Sequence, residues 1–113
     1  MVVLELSDAE IDRIFQALAD ATRRDIVRQA LLREQSVSEL ARHYEMSFAA
    51  VQKHVAVLER AALVTKEWRG RERIVHGNPE ALRRAARLLD AYGELWRGRA
   101  DRIGDILSEQ EKG

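Results

Sequence analysis

The segment from Ser47 to Leu63, SFAAVQKHVAVLERAAL, carries polar side chains spaced for hydrogen bonding inside a narrow groove. The amide of Gln52 can pair with a base edge such as adenine, and Lys53 can reach a guanine edge or a phosphate. Ala49 and Ala56 keep the same face of the predicted helix slim. The alternative is an ordinary solvated helix face, which would have a similar polar composition.

Further residues extend this candidate surface. Ser47, with the N–H groups of the helix N-terminus, can hold a phosphate, and Phe48 lies on the same side. His54 either contacts a phosphate or is a structural histidine at the edge of the core. Arg69 and Arg71 flank a turn glycine, where they either straddle the DNA backbone or are ordinary turn residues.

Signatures of catalysis and of metal binding do not appear in the sequence. The chain has no cysteine, which excludes disulfides, thiolate metal ligands and cysteine nucleophiles. The histidines, His43, His54 and His76, have no recognisable nucleophile partner. We find neither a glycine-rich phosphate loop nor a pair of catalytic carboxylates. We therefore expect a protein that is not an enzyme and needs no cofactor.

Composition fits one soluble domain over residues 1–113, since 46% of the residues are hydrophobic and 34% charged. The 19 basic and 19 acidic residues cancel, so the net charge gives no hint of nucleic acid. A basic cluster at 66–73 can still act locally, because salt screens distant charges beyond about 8–10 Å.

No apolar run reaches the roughly 18 residues of a membrane span. The N-terminus lacks a signal peptide, so we expect a cytoplasmic protein.

Capping signals and apolar periodicity place the elements. Helix N-caps are predicted at Ser7, Asp20, Ser36, Ser47 and Asn78. Capping boxes pair Ser7 with Glu10 and Ser36 with Glu39, in which each side chain would satisfy the other residue's backbone N–H. Val51, Val55 and Leu58 recur at helical spacing and predict the buried stripe of the helix that follows Ser47.

The predicted fold is mainly α with a small β-hairpin wing. A short helix, a tight turn and a longer helix at about 37–61 form a helix-turn-helix. The β-branched and aromatic run at about 64–76, centred on Gly70, predicts a two-stranded hairpin. A hairpin directly after this unit makes a winged helix-turn-helix, whose second helix enters the major groove. We expect Trp68 to pack under the wing rather than to stack on a base.

A heptad pattern runs along the last helix, at about 79–108, and predicts a homodimer. At about 40 Å this helix is too long to bury its seam against one small domain. Its glycines, each costing about 1 kcal/mol, leave open whether it is continuous or broken near Gly93 or Gly98. Tyr92 and Trp96 either join the seam, which we favour, or line a ligand pocket. The predicted dimer interface comprises Ile11, Phe15, Leu82, Leu89, Tyr92, Trp96, Ile103 and Leu107.

Three motifs resemble the ArsR/SmtB family of bacterial winged-helix repressors. Residues 19–23, ADATR, match the family's A-D-x-T-R, and residues 37–41, VSELA, match V-x-E-L-A. Residues 47–64 follow S-x-x-x-V-S-x-H-L-x-V-L-x-x-A-G-L-V. Within it, Gln52, Val55 and Ala62 replace the usual Ser, Leu and Gly. The resemblance is strong from about residue 18 to residue 79 and rests on architecture alone in the terminal helices.

This resemblance implies a metal-independent member whose dimers form through the first and last helices. Ser36 and Ser38 stand where the family's metal sensors place cysteines, and the last helix has no histidine. The turn before Ser47 often contains Gly in the family, so Glu45 is expected to adopt a strained conformation there.

The sequence therefore predicts a sequence-specific, DNA-binding transcriptional regulator, a homodimeric repressor of a near-palindromic operator. Its partners would be double-stranded DNA, a second copy of itself and an unidentified small-molecule or protein effector, with no membrane involved. One alternative is a winged-helix protein-interaction module that does not bind DNA. Another is a small-molecule-binding or enzymatic domain, which would need a sizeable polar pocket.

Overall fold

The computed structural model describes residues 6–112, with side chains described for residues 6–108. The elements are, in order, α1 (Asp8–Leu18), α2 (Ala21–Leu32), β1 (Gln35–Ser36), α3 (Val37–Ala41), α4 (Phe48–Arg60), β2 (Val64–Arg69), β3 (Glu72–Gly77) and α5 (Pro79–Lys112). Helices α3 and α4 form the predicted helix-turn-helix, and the hairpin of β2 and β3, called the wing below, follows it directly. Within residues 6–112, no helix is both long and apolar enough to cross a membrane.

Polar side chains begin α1 to α4 as the sequence predicts. Asp20, Ser36 and Ser47 each accept a hydrogen bond from the backbone N–H three residues further on. Ser36 and Glu39 complete their capping box. The predicted Ser7 box is only half formed, since the Glu10 carboxylate accepts from the Ser7 hydroxyl at 3.1 Å while Ser7 caps the Glu10 N–H.

One core joins the helices to the strands. The predicted stripe of α4, Val51, Val55 and Leu58, is buried in it. Its other large, fully buried side chains include Ile26, Leu40, Leu63, Val64 and Val75. Because α4 is anchored along this stripe, its opposite face is held outward.

The sheet has three strands, in the order β1-β3-β2, rather than the two that the sequence predicts. β1 is only two residues long and pairs antiparallel with β3, with Gln35 opposite Val75 and Ser36 opposite Ile74. Two residues are too few to show an alternating pattern, so the sequence gives no strand signal here. β1 ties the segment before α3 to the middle of β3 in the wing.

The end of α4 contains the one left-handed non-glycine residue within 6–112, Ala62, with φ 60°. The Ala62 N–H donates to the Glu59 carbonyl and the Leu63 N–H to the Leu58 carbonyl, each at 3.0 Å. This is a Schellman C-cap, a position usually held by glycine. Asn78, the predicted cap of α5, donates its side-chain amide to the Ala62 carbonyl oxygen at 2.7 Å. The expectation of strain at Glu45 is wrong. Glu45 does not have a positive φ, and the left-handed non-glycine residue is Ala62 instead.

Helix α5 runs unbroken through Gly93 and Gly98 as a helix of 34 residues, about 50 Å long. Its first turns pack on the core through Ala81, Ala85 and the half-buried Leu82. Beyond Leu88, no side chain as far as residue 108 is buried. The helix therefore projects from the rest of the chain with its apolar side chains exposed.

Candidate nucleic-acid interface

The outward face of α4 consists of the residues that the sequence singles out. Phe48, Ala49, Gln52 and Lys53 are exposed; these four residues are called the reading face below. Ser47 is occupied locally, since its hydroxyl oxygen accepts the Ala50 N–H at 3.1 Å. The face is slim at Ala49, and the buried apolar residues Val51, Val55 and Leu58 lie on the opposite side of α4, while Phe48 is exposed at its N-terminal end. Its side chains are thus free to contact base edges.

His54 lies at the margin of this face and has a partner inside the chain. Its Nδ1 is 3.4 Å from a terminal nitrogen of Arg23 in α2. Arg23 also donates to the carbonyl oxygens of Ala17 at 2.7 Å and Gln16 at 3.0 Å, closing the C-terminal end of α1. These contacts support the structural alternative for His54 over the phosphate contact.

Arg69, a predicted DNA contact, is held in a cluster of charged side chains. One terminal nitrogen lies 2.7 Å from Glu34 and the other 2.6 Å from Glu67. His76 lies 2.8 Å from Glu67 and 3.4 Å from Glu34. We call Glu34, Glu67, Arg69 and His76 the outer cluster. Two carboxylates thus compete with any DNA phosphate for Arg69.

The outer cluster perturbs the acidity of its members. The hydrogen bond from Arg69 holds the pKa of Glu34 below its usual value. Hydrogen bonds from His76 and then Arg69 do the same for the pKa of Glu67. Both carboxylates in turn raise the pKa of the Arg69 guanidinium. All three shifts favour the charged forms that make the ion pairs.

The two faces of the wing carry different chemistry. Thr65 pairs with His76, Lys66 with Val75 and Trp68 with Arg73 across the hairpin. Since side chains alternate along a strand, Lys66, Trp68 and Arg73 share one face, while Glu67 and Arg69 lie on the other. Lys66 is 3.2 Å from Glu59 of α4, which identifies its face as the one toward α4.

Trp68 does not pack under the wing as expected, because 66% of it is exposed. The guanidinium carbon of Arg73 lies 4.5 Å from the centre of its ring, a cation–π contact. Arg73 is not among the predicted contact residues, although the sequence carries a signal for its position. A two-residue turn at Gly70, whose φ is +66°, fixes the register and sets residue 73 opposite residue 68. Arg71 is exposed at the same turn, as predicted.

Helix α5, which follows the wing in the sequence, presents a second exposed surface. Among the predicted interface residues, Phe15, Leu89, Tyr92, Trp96, Ile103 and Leu107 are exposed, Ile11 is half-buried, and Leu82 packs against the core of its own chain. Leu95 and Ile106 widen the stripe on α5 beyond the heptad positions. At 100° per residue, the apolar positions from 89 to 107 fall within an arc of roughly 120°. Such a stripe on an exposed helix indicates an interaction surface.

Comparisons with known proteins agree with this architecture. Residues 20–66 match the family described as bacterial regulatory protein, arsR family. The HTH-type transcriptional regulator Rv2034 of Mycobacterium tuberculosis is 40% identical over 81 residues, which are 72% of this chain and 76% of that protein. The chain belongs to the ArsR family.

Solved structures give the same assignment for this ArsR-family protein. An ArsR-like transcriptional regulator from Rhodococcus sp. RHA1 is 34% identical, with a TM-score of 0.75 over 87% of this chain and 92% of that one. The ArsR family transcriptional regulator RHA00566 is 30% identical, with a TM-score of 0.76 over 81% and 95% of the two chains. The chain is therefore a DNA-binding transcriptional regulator with a winged helix-turn-helix.

The residues that match the family end within β2 and so exclude most of the wing and all of α5. At the positions of the family's thiolate ligands, this ArsR-family protein uses the Ser36 side chain to cap α3 and leaves Ser38 exposed. Three side chains of the outer cluster, Glu34, Glu67 and His76, bring potential metal-ligand atoms within 4.8 Å of one another. In the structure, the guanidinium of Arg69 is the cation at that place.

Proposed function

We propose that this ArsR-family regulator is a homodimeric repressor of a near-palindromic operator and acts in the bacterial cytoplasm, where its DNA lies. The observation that carries the proposal is the exposed reading face of α4, held outward by a fully buried stripe. In this proposal the N-terminal half of α4 enters the major groove, which is about 12 Å wide. Gln52 contacts a base edge, and Lys53 contacts a guanine or a phosphate. The protein is a binding protein rather than an enzyme.

The proposed DNA-contacting residues differ from those that the sequence predicts. Phe48, Ala49, Gln52, Lys53 and Arg71 remain among them, because their side chains are exposed and have no partner assigned within the described part of the chain. Ser47 stays beside them at the helix N-terminus. His54 and Arg69 are given structural roles, since Arg23 and the outer cluster engage them.

A second copy of the chain is the proposed partner for the stripe on α5. A two-fold axis lets one apolar stripe cover the same stripe on the partner, and the exposed Phe15 of α1 belongs to the same proposed interface. Two reading faces would then meet half-sites about one helical turn apart. The repressor would block RNA polymerase by occupying its site. A small-molecule or protein effector would release it by favouring another arrangement of the two subunits, since an effector shifts only states that it binds differently.

Selection of duplexes from a random DNA library by the full-length protein tests this proposal. We expect enrichment of one near-palindromic sequence, and a mobility shift that the double variant Gln52→Ala, Lys53→Ala abolishes. Lys66→Ala is the matched control, since Lys66 is bound to Glu59 and turned toward α4. A specific shift that survives the double variant would refute the assignment of the reading face. If no sequence is enriched, the chain is an interaction module instead.

A further inference from the structure

A cleft of about 220 Å³ separates the N-terminal half of α4 from the wing. Its lining includes Ser38, Phe48, Gln52, Trp68, Arg71 and Arg73, with Glu72 as the one carboxylate. Phe48 and Gln52 also belong to the reading face. The cleft is therefore continuous with the surface that we assign to the major groove.

Arg73 is placed in this cleft without an anionic partner. Its side chain makes no ion pair or hydrogen bond among the described residues, and its Nε is buried with no acceptor. Its guanidinium stacks on the ring of Trp68 in a cation–π contact. Arg69, four residues earlier on the other face of the wing, has two carboxylate partners. Since no carboxylate of the described residues compensates the charge of its guanidinium, Arg73 can bind an anion from outside the chain.

The shape of B-DNA identifies that acceptor. The major groove and the adjacent minor groove are divided by a single sugar-phosphate strand. With α4 in the major groove and the tip of the wing at the flanking minor groove, this strand must pass between α4 and the wing. The cleft occupies that position. Arginine binds phosphate oxygens well, because its planar guanidinium offers several donors in a fixed geometry.

We propose that the cleft binds one phosphate of the strand that divides the two grooves, on the guanidinium of Arg73. The ring of Trp68 holds that guanidinium in place, so Trp68 is a positioning residue, and Arg71 adds a second positive charge. Arg69 instead fastens the wing to Glu34. This inference rests on the proposed function and names a contact within it.

The salt dependence of operator binding tests the assignment, with the full-length protein and a duplex from the selection described above. The slope of log K against log salt concentration is negative, and each phosphate that a protein neutralises makes it steeper by about 0.9. We expect Arg73→Gln to make this slope shallower by about 1 per subunit. The same substitution should lower the affinity by about 10-fold per subunit. Arg69→Gln, the same charge change on the same hairpin, should leave the slope unchanged. Loss of slope in Arg69→Gln but not in Arg73→Gln would overturn the proposal.

Neutral methylphosphonates placed one at a time in the duplex locate the phosphate. Wild-type protein should lose affinity at one flanking position per half-site, and Arg73→Gln should be indifferent to that substitution. Equal losses for both proteins at every position would contradict the assignment.

Trp68→Leu tests the positioning role of Trp68. It should weaken binding in the wild type but not in the Arg73→Gln background, and equal effects in both would remove the positioning role. Circular dichroism checks folding, and Arg73→Met, which also removes the charge but keeps an unbranched side chain, replaces Arg73→Gln if that variant unfolds.

The outcomes separate this inference from the proposed function. If no duplex is selected, both fail. If a duplex is bound through Gln52 and Lys53 while Arg73→Gln behaves as wild type, only the phosphate site fails.

Discussion

Arg23 of α2 lies 3.4 Å from His54 of α4, measured between a terminal guanidinium nitrogen and Nδ1. The same guanidinium closes the end of α1 by donating to the carbonyl oxygens of Ala17 and Gln16. One side chain thus joins three helices and holds α4 against the two helices beneath it. The Asp20 side chain accepts the Arg23 N–H, so the A-D-x-T-R motif positions its own arginine.

Replacing Arg23 should therefore destabilise the fold. Arg23→Lys keeps the charge but lacks the planar set of donors, and we expect the free energy of unfolding to fall by about 1–2 kcal/mol. Urea unfolding at a fixed protein concentration measures it. Arg24→Lys is the control, because Arg24 is exposed and donates to a single carbonyl, that of Leu18. Equal effects of the two substitutions would remove the special role of Arg23.

The left-handed Ala62 should respond to glycine. Ala62→Gly relieves the clash of its Cβ at φ 60°, and we expect the free energy of unfolding to rise by about 1 kcal/mol. Ala91→Gly, within the regular part of α5, should lower it by a similar amount. Thermal or urea unfolding distinguishes the two signs. A lower stability for Ala62→Gly would show that the backbone there is not strained.

Trp96, 64% exposed in the single chain, lies in the proposed dimer interface. Trp96→Glu should place an unpaired charge in that interface and raise the dimer dissociation constant at least about 100-fold. Light scattering should then find monomers, and operator binding should weaken steeply. Arg87→Glu, on the opposite side of α5, should leave the mass unchanged. A Trp96→Glu variant that remains dimeric would exclude this stripe.

The outer cluster should give the stability a dependence on pH. The pKa values of Glu34 and Glu67 are lowered from 4.5 in the folded chain. A carboxylate whose pKa is lowered by folding stabilises the folded chain at pH values above its unfolded pKa. This stabilisation is lost as the pH falls through the pKa of the folded chain. Arg69→Gln should thus be less stable than wild type at neutral pH, with a difference that shrinks below pH 4.5.

Urea midpoints measured across this range test the pH dependence, with the exposed Arg87→Gln as the charge-matched control. The difference at neutral pH should be small, because the cluster is open to solvent and screened. A difference that stays constant as the pH falls would contradict the role of Arg69 in the cluster.

Zinc should bind weakly at the outer cluster. A metal ion would have to displace the Arg69 guanidinium from Glu34 and Glu67, which costs both ion pairs. We expect calorimetry to find no tight, stoichiometric site in the wild-type protein. Arg69→Gln removes the competing cation and should bind zinc more tightly than wild type. Nanomolar affinity in the wild type would overturn the metal-independent assignment.

Much of this architecture follows from local chemistry that the sequence displays directly. The side chains of Ser36 and Ser47 cap helices because the N–H groups that they satisfy lie three residues away. Val51, Val55 and Leu58 define the buried side of α4 by their spacing, and this fixes the reading face opposite. The wing follows from the residues around Gly70, whose turn admits a positive φ.

The partners of charged and aromatic side chains depended on contacts between residues distant in the chain. Arg69 and Arg73 look alike in the sequence, but Glu34, 35 residues from Arg69, binds one of them and not the other. Trp68 looked like a core residue, yet its side of the hairpin lies over an open cleft. The sequence also left open whether α5 is continuous. Its glycines lower the stability of the helix, but their cost alone does not decide whether the helix breaks.

By itself, the sequence determined the order of the helices, the winged helix-turn-helix and the identity of the reading face, since these depend on interactions within a few residues. The tertiary structure decided which arginine is held by carboxylates and which is left facing the cleft, and it added β1 to the sheet. Those outcomes depend on where separate segments meet, because an ion pair or a strand pairing forms only between groups that the packed core brings within contact distance.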